Sequence, residues 1–344
     1  MDRPAGVPGL ATTAFAGVPR RQGKPLDMRS LRRSIEWRLR IARELEQGAR
    51  RCRPAQRIEA CPACDGDRHR PFVQIYGFDY RECTRCGHLF ICNPPAPEDI
   101  AAIYQGPSVQ EQVYIGDELF RQRVEQIARP KASFCRERLE PGGQWLDIGC
   151  GTGELLTAVR ELGWEPRGLE ADPAHADFAR RQGLEVERGY VEAPPPALLD
   201  GAAVISALNL LEHLPAPKPW LARATAGLRR GGHVVIEVPR HPSISSFSNL
   251  LHPALASRHI YPPGHLHVFT EASLEHVLHA SGLDARAVWV FGQDFQELIY
   301  SSAAHAGLPE SQLFHRILDA TGPIQRAIDA ENLSDVLFVI AQKR

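Results

Sequence analysis

Between residue 144 and the C-terminus, short runs of strand length alternate with amphipathic stretches. Residues 145–148, 167–170, 185–188, 202–207 and 233–238 read as strands, with Gly, Pro or Asp nearby as turn signals. Residues 154–162, 174–182 and 218–228 repeat apolar positions at steps of three and four, the period of a helix with one buried face. A Pro- and His-rich insertion then runs to Phe269, followed by a helical pattern over 271–280 and strands over 285–291 and 335–341. Strand and helix in alternation predict a parallel sheet covered by helices on both faces, with ligands at the carboxyl ends of its strands.

The first 140 residues follow other patterns. Residues 1–26 are rich in Pro, Gly, Ala and Arg without periodicity and predict a disordered basic arm. Residues 27–57 read as an amphipathic helix, with Leu31, Ile35, Leu39, Ala42 and Leu45 on one face and arginines on the others. Residues 98–140 read as a helical linker or cap interrupted at Pro130, and 141–344 as the sheet domain. No internal repeat is visible.

At 344 residues, 43 % hydrophobic and 24 % charged, the composition is globular and long enough for two domains. The net charge of −1 hides an asymmetry: residues 1–57 hold fourteen Arg and Lys against five Asp and Glu. A basic arm on an acidic body suits either a polyanion contact or a solvated tail. No apolar run is long enough to span a membrane, and the N-terminus lacks the apolar core of a secretion signal, so a cytoplasmic location is expected.

Four of the eight cysteines form two C-x2-C knuckles: Cys61 and Cys64 in "CPAC", then Cys83 and Cys86 in "CTRCGH". Each knuckle turns two thiolates toward one point, and two knuckles complete a tetrahedron. Between them "PFVQIYGFDYREC" alternates like short strands. The expectation over 58–97 is a zinc ribbon with structural zinc, because four protein ligands leave no open position for catalysis. A disulfide scaffold is disfavoured in a cytoplasmic chain.

The stretch "WLDIGCGTGELL" places Gly149, Gly151 and Gly153 directly after a strand and before a helix. Bare backbone there lets a ligand lie against the main chain, near free N–H groups of the helix. The spacing is not the G-x-G-x-x-G of dinucleotide sites, and Asp147 puts an acid where a pyrophosphate would be repelled. Glu170 ends the second strand, where an acid can accept hydrogen bonds from a ribose diol. A ribose-bearing, cationic, phosphate-free ligand fits these constraints, and S-adenosylmethionine is such a ligand.

"LDIGCGTGELL" with "GLEADP" resembles the class I S-adenosylmethionine-dependent methyltransferase family. "ISALNLLEHLPAP", "LRRGGHVVIEVPRHPS", "HLHVFTEASLEHVLHASGL" and "LSDVLFVIAQK" extend the resemblance in order to the C-terminus. It implies an α/β, Rossmann-like, seven-stranded, mostly parallel sheet with its last strand antiparallel. It also implies that Asp147, Gly149, Gly151 and Gly153 border the methionine and ribose of S-adenosylmethionine. Glu170 would hold the ribose hydroxyls, Ala171 and Asp172 would lie beside the adenine with Tyr190 near it, and Asn209 and Leu210 would lie near the methionine moiety. A zinc-ribbon-like N-terminus recurs in a branch acting on small molecules, including sugar-modifying members.

Methyl transfer is an in-line displacement that needs alignment and, for some acceptors, a base. His213, His265 and His267 are the candidate bases, since histidine suits a hydroxyl proton near neutral pH. Amino-methylating DNA enzymes would carry an Asn/Asp-Pro-Pro turn where this chain has "NLLE", and no cysteine follows Cys150 to serve a cytosine-C5 reaction. The chain resembles ubiquinone-pathway O-methyltransferases at "LEH". Their metal pattern has an acid three residues earlier, where Asn209 stands here, so no catalytic metal is expected. A small-molecule acceptor (glycan or secondary-metabolite type) is favoured. The alternatives are a ribosomal-RNA methyltransferase gripping RNA with ribbon and arm, and a non-catalytic S-adenosylmethionine-binding protein.

Overall fold

The computed structural model describes residues 14–24, 32–96, 98–99, 115–255 and 259–344. Its strands are β1 Arg20–Gln22, β2 His69–Ile75, β3 Phe78–Cys83, β4 Leu89–Ile91, β5 Gln144–Ile148, β6 Glu165–Glu170, β7 Glu185–Arg188, β8 Val204–Leu208, β9 His233–Pro239, β10 His267–Val268, β11 Leu283–Phe291 and β12 Val336–Lys343. Eight form one sheet in the order β1-β11-β12-β9-β8-β5-β6-β7. β12 runs antiparallel to both neighbours, and the other pairs are parallel. All seven strands expected from 145 onward are present. The eighth is β1, which corrects the expectation of a disordered arm for residues 14–24. "RRQ" has no apolar signature, and it is held by pairing with Val288–Val290 and by an Arg20–Glu271 ion pair of 2.5 Å.

Helices α1 Ile35–Arg51, α2 Asp117–Arg123 and α3 Arg129–Arg136 precede the sheet's central strands. Pro130 does not break the helical segment: a π turn over Val124–Ala128 joins α2 to α3, and Pro130 stands in the first turn of α3, where a missing N–H is tolerated. Helices α4 Glu154–Glu161, α5 Pro173–Arg181, α6 Pro196–Leu199, α7 Pro217–Ala224, α8 Ile244–Leu251 and α9 Glu271–Ala280 follow. Then come α10 Asp294–His305, α11 Gln312–Asp319 and α12 Thr321–Ala330, in a stretch the sequence pattern leaves unread. The sheet is buried on both faces. In β5, Leu146 and Ile148 pack into one core and Trp145 into the other, as expected for strands covered on both sides.

The remaining strands make a second sheet, β10-β4-β3-β2. Three belong to the cysteine segment; β10 belongs to the insertion after β9. His267 pairs with Phe90 and Val268 with Leu89, and the Ile91 N–H donates to Leu266 O at 3.0 Å. The insertion is therefore a structural part of the ribbon.

Candidate functional site

The glycine loop leaves β5 at its carboxyl end. Gly149, Gly151 and Gly153 have φ of +75°, +55° and +90°, left-handed backbone that side chains resist. Their surroundings differ. A Cβ on Gly151 would meet nothing within 4 Å, so it borders open space. A Cβ on Gly153 would sit 2.3 Å from Leu184 Cδ1 and 3.3 Å from the Ala179 Cβ. Gly153 thus serves helix packing, whereas a ligand-bordering role was expected. Gly149 faces Leu210, whose Cδ1 would lie 3.5 Å from an added Cβ.

Three acids surround the loop. Asp147 is buried and accepts a 2.6 Å hydrogen bond from Ser206 Oγ, which itself accepts from Trp145 Nε1 at 2.8 Å. Burial raises its pKa to about 7; Ser206 opposes, and Glu170 and Glu154 push further up. Glu154 is pushed up by burial but held below its ordinary value by Arg123 of α2, 2.5 Å away. Glu170 Oε2 accepts from Gly151 N at 2.7 Å and Oε1 from Asp172 N at 2.8 Å. Glu170 thereby fixes the loop's backbone, and each oxygen keeps a second lone pair for a donor. The Asp172 carboxylate is already committed, capping α5 through His175 N at 2.8 Å. Ala171 follows Glu170 directly, and Tyr190 is 67 % exposed at the rim.

After β8 the chain turns at Asn209, with φ +51°. Its Nδ2 donates to Glu237 Oε1 at 3.1 Å, and Glu237 forms a buried ion pair with Lys131 at 2.7 Å. Neither Lys131, Glu237 nor Arg123 was singled out from sequence. Their one signal was charge inside otherwise apolar periodic segments.

Residues 212–214 are stitched to the insertion. Leu266 N donates to Glu212 O at 2.7 Å, His213 Nδ1 to Gly264 O at 2.9 Å, and His267 Nε2 to Leu214 O at 3.0 Å. His267 Nδ1 also meets His88 Nε2 of the ribbon at 3.2 Å, so both its nitrogens are committed to packing. This geometry corrects the expectation of His267 as a base. Burial lowers the pKa of His213 and of His267 to about 4, and that of His265 well below its ordinary value. All three are neutral at pH 7 and weak as bases.

In the ribbon, Cys61 and Cys86 sulfurs lie 3.7 Å apart and Cys64 and Cys83 sulfurs 3.6 Å apart. All four are buried and mutually within 4.8 Å. A disulfide needs about 2.05 Å; four thiolates at ~2.3 Å from one tetrahedral ion stand roughly 3.8 Å apart. The spacing fits the ion. The second knuckle docks on α9, where Thr270 Oγ1 caps the helix and donates to Cys86 O at 2.5 Å.

A family model described as a methyltransferase domain matches residues 119–288. The ubiquinone biosynthesis O-methyltransferase of Alkalilimnicola ehrlichii is 30 % identical over 116 residues, 32 % of this chain and 47 % of that protein. The ribosomal protein L11 methyltransferase of Cupriavidus taiwanensis is 31 % identical over 117 residues, 32 % of this chain and 38 % of that protein. The chain thus spans less than half the length of these relatives. Among solved structures, the magnesium protoporphyrin IX methyltransferase of Synechocystis PCC 6803 with bound SAH is similar at TM-score 0.45 and 10 % identity, over 72 % of this chain and 94 % of that one.

Proposed function

We propose that residues 119–288, which match a methyltransferase-domain model, form a class I S-adenosylmethionine-dependent methyltransferase domain, and that the chain methylates a small-molecule acceptor. The observation that carries the reading is the set of acids around the open face of Gly151: buried Asp147 with a raised pKa, and Glu170 with lone pairs to spare. Such a site disfavours phosphate and favours a cationic, diol-bearing ligand. Bound there, S-adenosylmethionine would supply an electrophilic methyl group on sulfur. Glu170 would orient the ribose hydroxyls, Asp147 would offset positive charge, and Gly151 would let the ligand lie on the backbone, with Tyr190, Ala171, Asn209 and Leu210 around it. The segment from Asn209 to Leu214 and the insertion would form the acceptor side. One zinc ion on Cys61, Cys64, Cys83 and Cys86 would hold the ribbon and take no part in chemistry.

The RNA alternative draws on the basic N-terminal segment, and the ion pairs there weigh against it. Arg20, Arg21, Arg32, Arg38, Arg50, Arg53 and Arg57, half of the fourteen basic residues there, each contact an acid of the same chain, so part of this charge is neutralised internally. Among the described residues no helix is long and apolar enough to cross a membrane. The test is transfer of labelled methyl from S-adenosylmethionine into fractionated cell extract. Label in the small-molecule fraction supports the reading; label confined to RNA or protein refutes it.

A further inference from the structure

Helix α8 is inverted for a helix at a protein surface. Its inner face carries Ser245, Ser246, Ser248 and Asn249, all buried. Its outer face carries Phe247, Leu250 and Leu251, which are 51 %, 44 % and 48 % exposed. A surface helix of a globular domain ordinarily turns its apolar stripe to the core and its polar face to water. The polar side has its reason. Ser245 N donates to Asp294 Oδ1 at 3.2 Å and Ser245 Oγ to Asp335 Oδ2 at 2.7 Å, both acids being fully buried. Asn249 Nδ2 donates to Ile260 O at 3.3 Å, and His252 Nε2 meets Ser302 Oγ of α10 at 3.2 Å.

These bonds fix the rotation of α8 about its axis and leave the apolar stripe facing water. The positions 247, 250 and 251 are spaced by three and four, so the three side chains form one stripe. Leu333, 37 % exposed, adjoins its first turn, where Ile244 N donates to Leu333 O at 3.1 Å. Helix α12 repeats the inversion: Thr321 and Asp329 are buried, Gln325 Nε2 donates inward to Asp294 Oδ2 at 3.2 Å, and Ile324 is exposed.

We propose that α8 is the core of a two-fold interface between two copies of this chain. Charge selects this occupant. No residue from Pro242 to Leu251 is charged. In a two-fold contact every side chain near the axis meets its own copy, so a charge there would face a like charge, and an uncharged helix satisfies the requirement. A helix lying on a membrane surface instead carries Lys and Arg along its polar face, where α8 has serines and asparagine. Area agrees. Phe247, Leu250, Leu251 and Leu333 together expose roughly 350 Å². A standard interface buries about 800 Å² per partner, with an apolar core inside a polar rim, so the stripe is of the size of such a core. The surface stands on the fold alone and does not depend on the methyl-transfer reading.

The test is sedimentation equilibrium of the full-length protein from about 1 to 100 μM. The wild type should sediment at twice the chain mass at the upper end. Phe247→Asp and Leu250→Asp should each raise the dimer dissociation constant at least a hundredfold. Both side chains point to water, and near-UV circular dichroism should show each variant folded. Leu250→Cys gives a readout that needs no weakening: under mild oxidation it should cross-link into a dimer, whereas Ala222→Cys, exposed on α7, should not. A wild type that stays monomeric up to 100 μM, or a dimer that both aspartate variants leave intact and Leu250→Cys fails to cross-link, would overturn the interface. So would a monomer that co-sediments with phosphatidylcholine–phosphatidylglycerol vesicles and loses that binding in Phe247→Asp, which would assign the stripe to a lipid surface.

Discussion

Binding of a cationic ligand beside Asp147 should release a proton. Asp147 is raised from 3.8 to about 7, first by burial and then by Glu170 and Glu154, against the Ser206 hydrogen bond and the charge of Lys131. At 1.36 kcal/mol per decade of proton affinity, that shift corresponds to ~4 kcal/mol held against ionisation. The sign for folding follows. Between pH 3.8 and about 7 the folded chain binds the proton that the unfolded chain has lost, so the ligand-free protein loses this stability as pH rises through that window. A sulfonium beside the carboxylate reverses the preference and pulls the pKa down. S-adenosylmethionine affinity should therefore rise up to about tenfold per pH unit below about 7 and level off above it. Calorimetry at pH 7 in buffers of different ionisation enthalpy should count about half a proton released per ligand bound. Asp147→Asn should flatten the profile and weaken binding at pH 8 far more than at pH 6. Flat affinity from pH 5.5 to 8.5 in the wild type, or an unchanged profile in Asp147→Asn, would refute the placement of positive charge at this acid.

Other outcomes follow from the same geometry. Glu170→Ala removes the acceptor of two backbone N–H groups as well as the ribose contact; at about 1.5–3 kcal/mol per charged hydrogen bond, calorimetry should find cofactor binding lost and hydrogen exchange should find the Gly151 amide newly labile. The glycines should separate by mechanism. Gly151→Val meets open space and should abolish binding with only the ~1–2 kcal/mol left-handed backbone cost in denaturant melts, whereas Gly153→Ala runs into Leu184 and should lower stability more than that. Cys83→Ser should lose the ribbon's metal and expose residues 58–96 to protease, since binding and folding free energy are shared there; an intact, protease-resistant ribbon without metal would contradict it.

The seven parallel-domain strands were legible because each is a compact run between turn residues, and the glycine loop because left-handed backbone restricts residue choice. β1 was not legible. "RRQ" pairs at an edge, and its ordering comes from β11 and Glu271, more than 250 residues away. β10 is two residues long and lies in a segment read as a lid; only the facing Leu89–Ile91 gives it a strand partner. Residues 294–330 went unread for a different reason. Helices α11 and α12 leave Leu313, Ile317 and Ile324 exposed, so their apolar positions do not mark one buried face. At the candidate site, Asp147 and Glu170 could be singled out because they lie at the carboxyl ends of β5 and β6, and Gly151 because it sits in the loop that leaves β5. The approach of His265 Nε2 to Glu212 Oε1, 3.9 Å, spans 53 positions and depends on how the insertion folds back, which no local spacing encodes.

That difference in legibility has a physical counterpart. The proposed cofactor side is built from one stretch, β5 through β7, whose loop, acid and helix cap are neighbours in sequence as well as in space. The proposed acceptor side is assembled from three distant pieces: ribbon residues near His88, the turn from Asn209 to Leu214, and the insertion around His265. Each hydrogen bond among them closes a long loop, and only a fold in which the ribbon is already formed repays that entropy. The cysteine-bound ion would therefore act at a distance. It would take no part in the chemistry, but it would fix β4, which pairs with β10, which holds Gly264 to His267 against Glu212 and His213. Loosening the ribbon should blur the acceptor side first and leave the glycine loop, anchored within its own segment, able to bind.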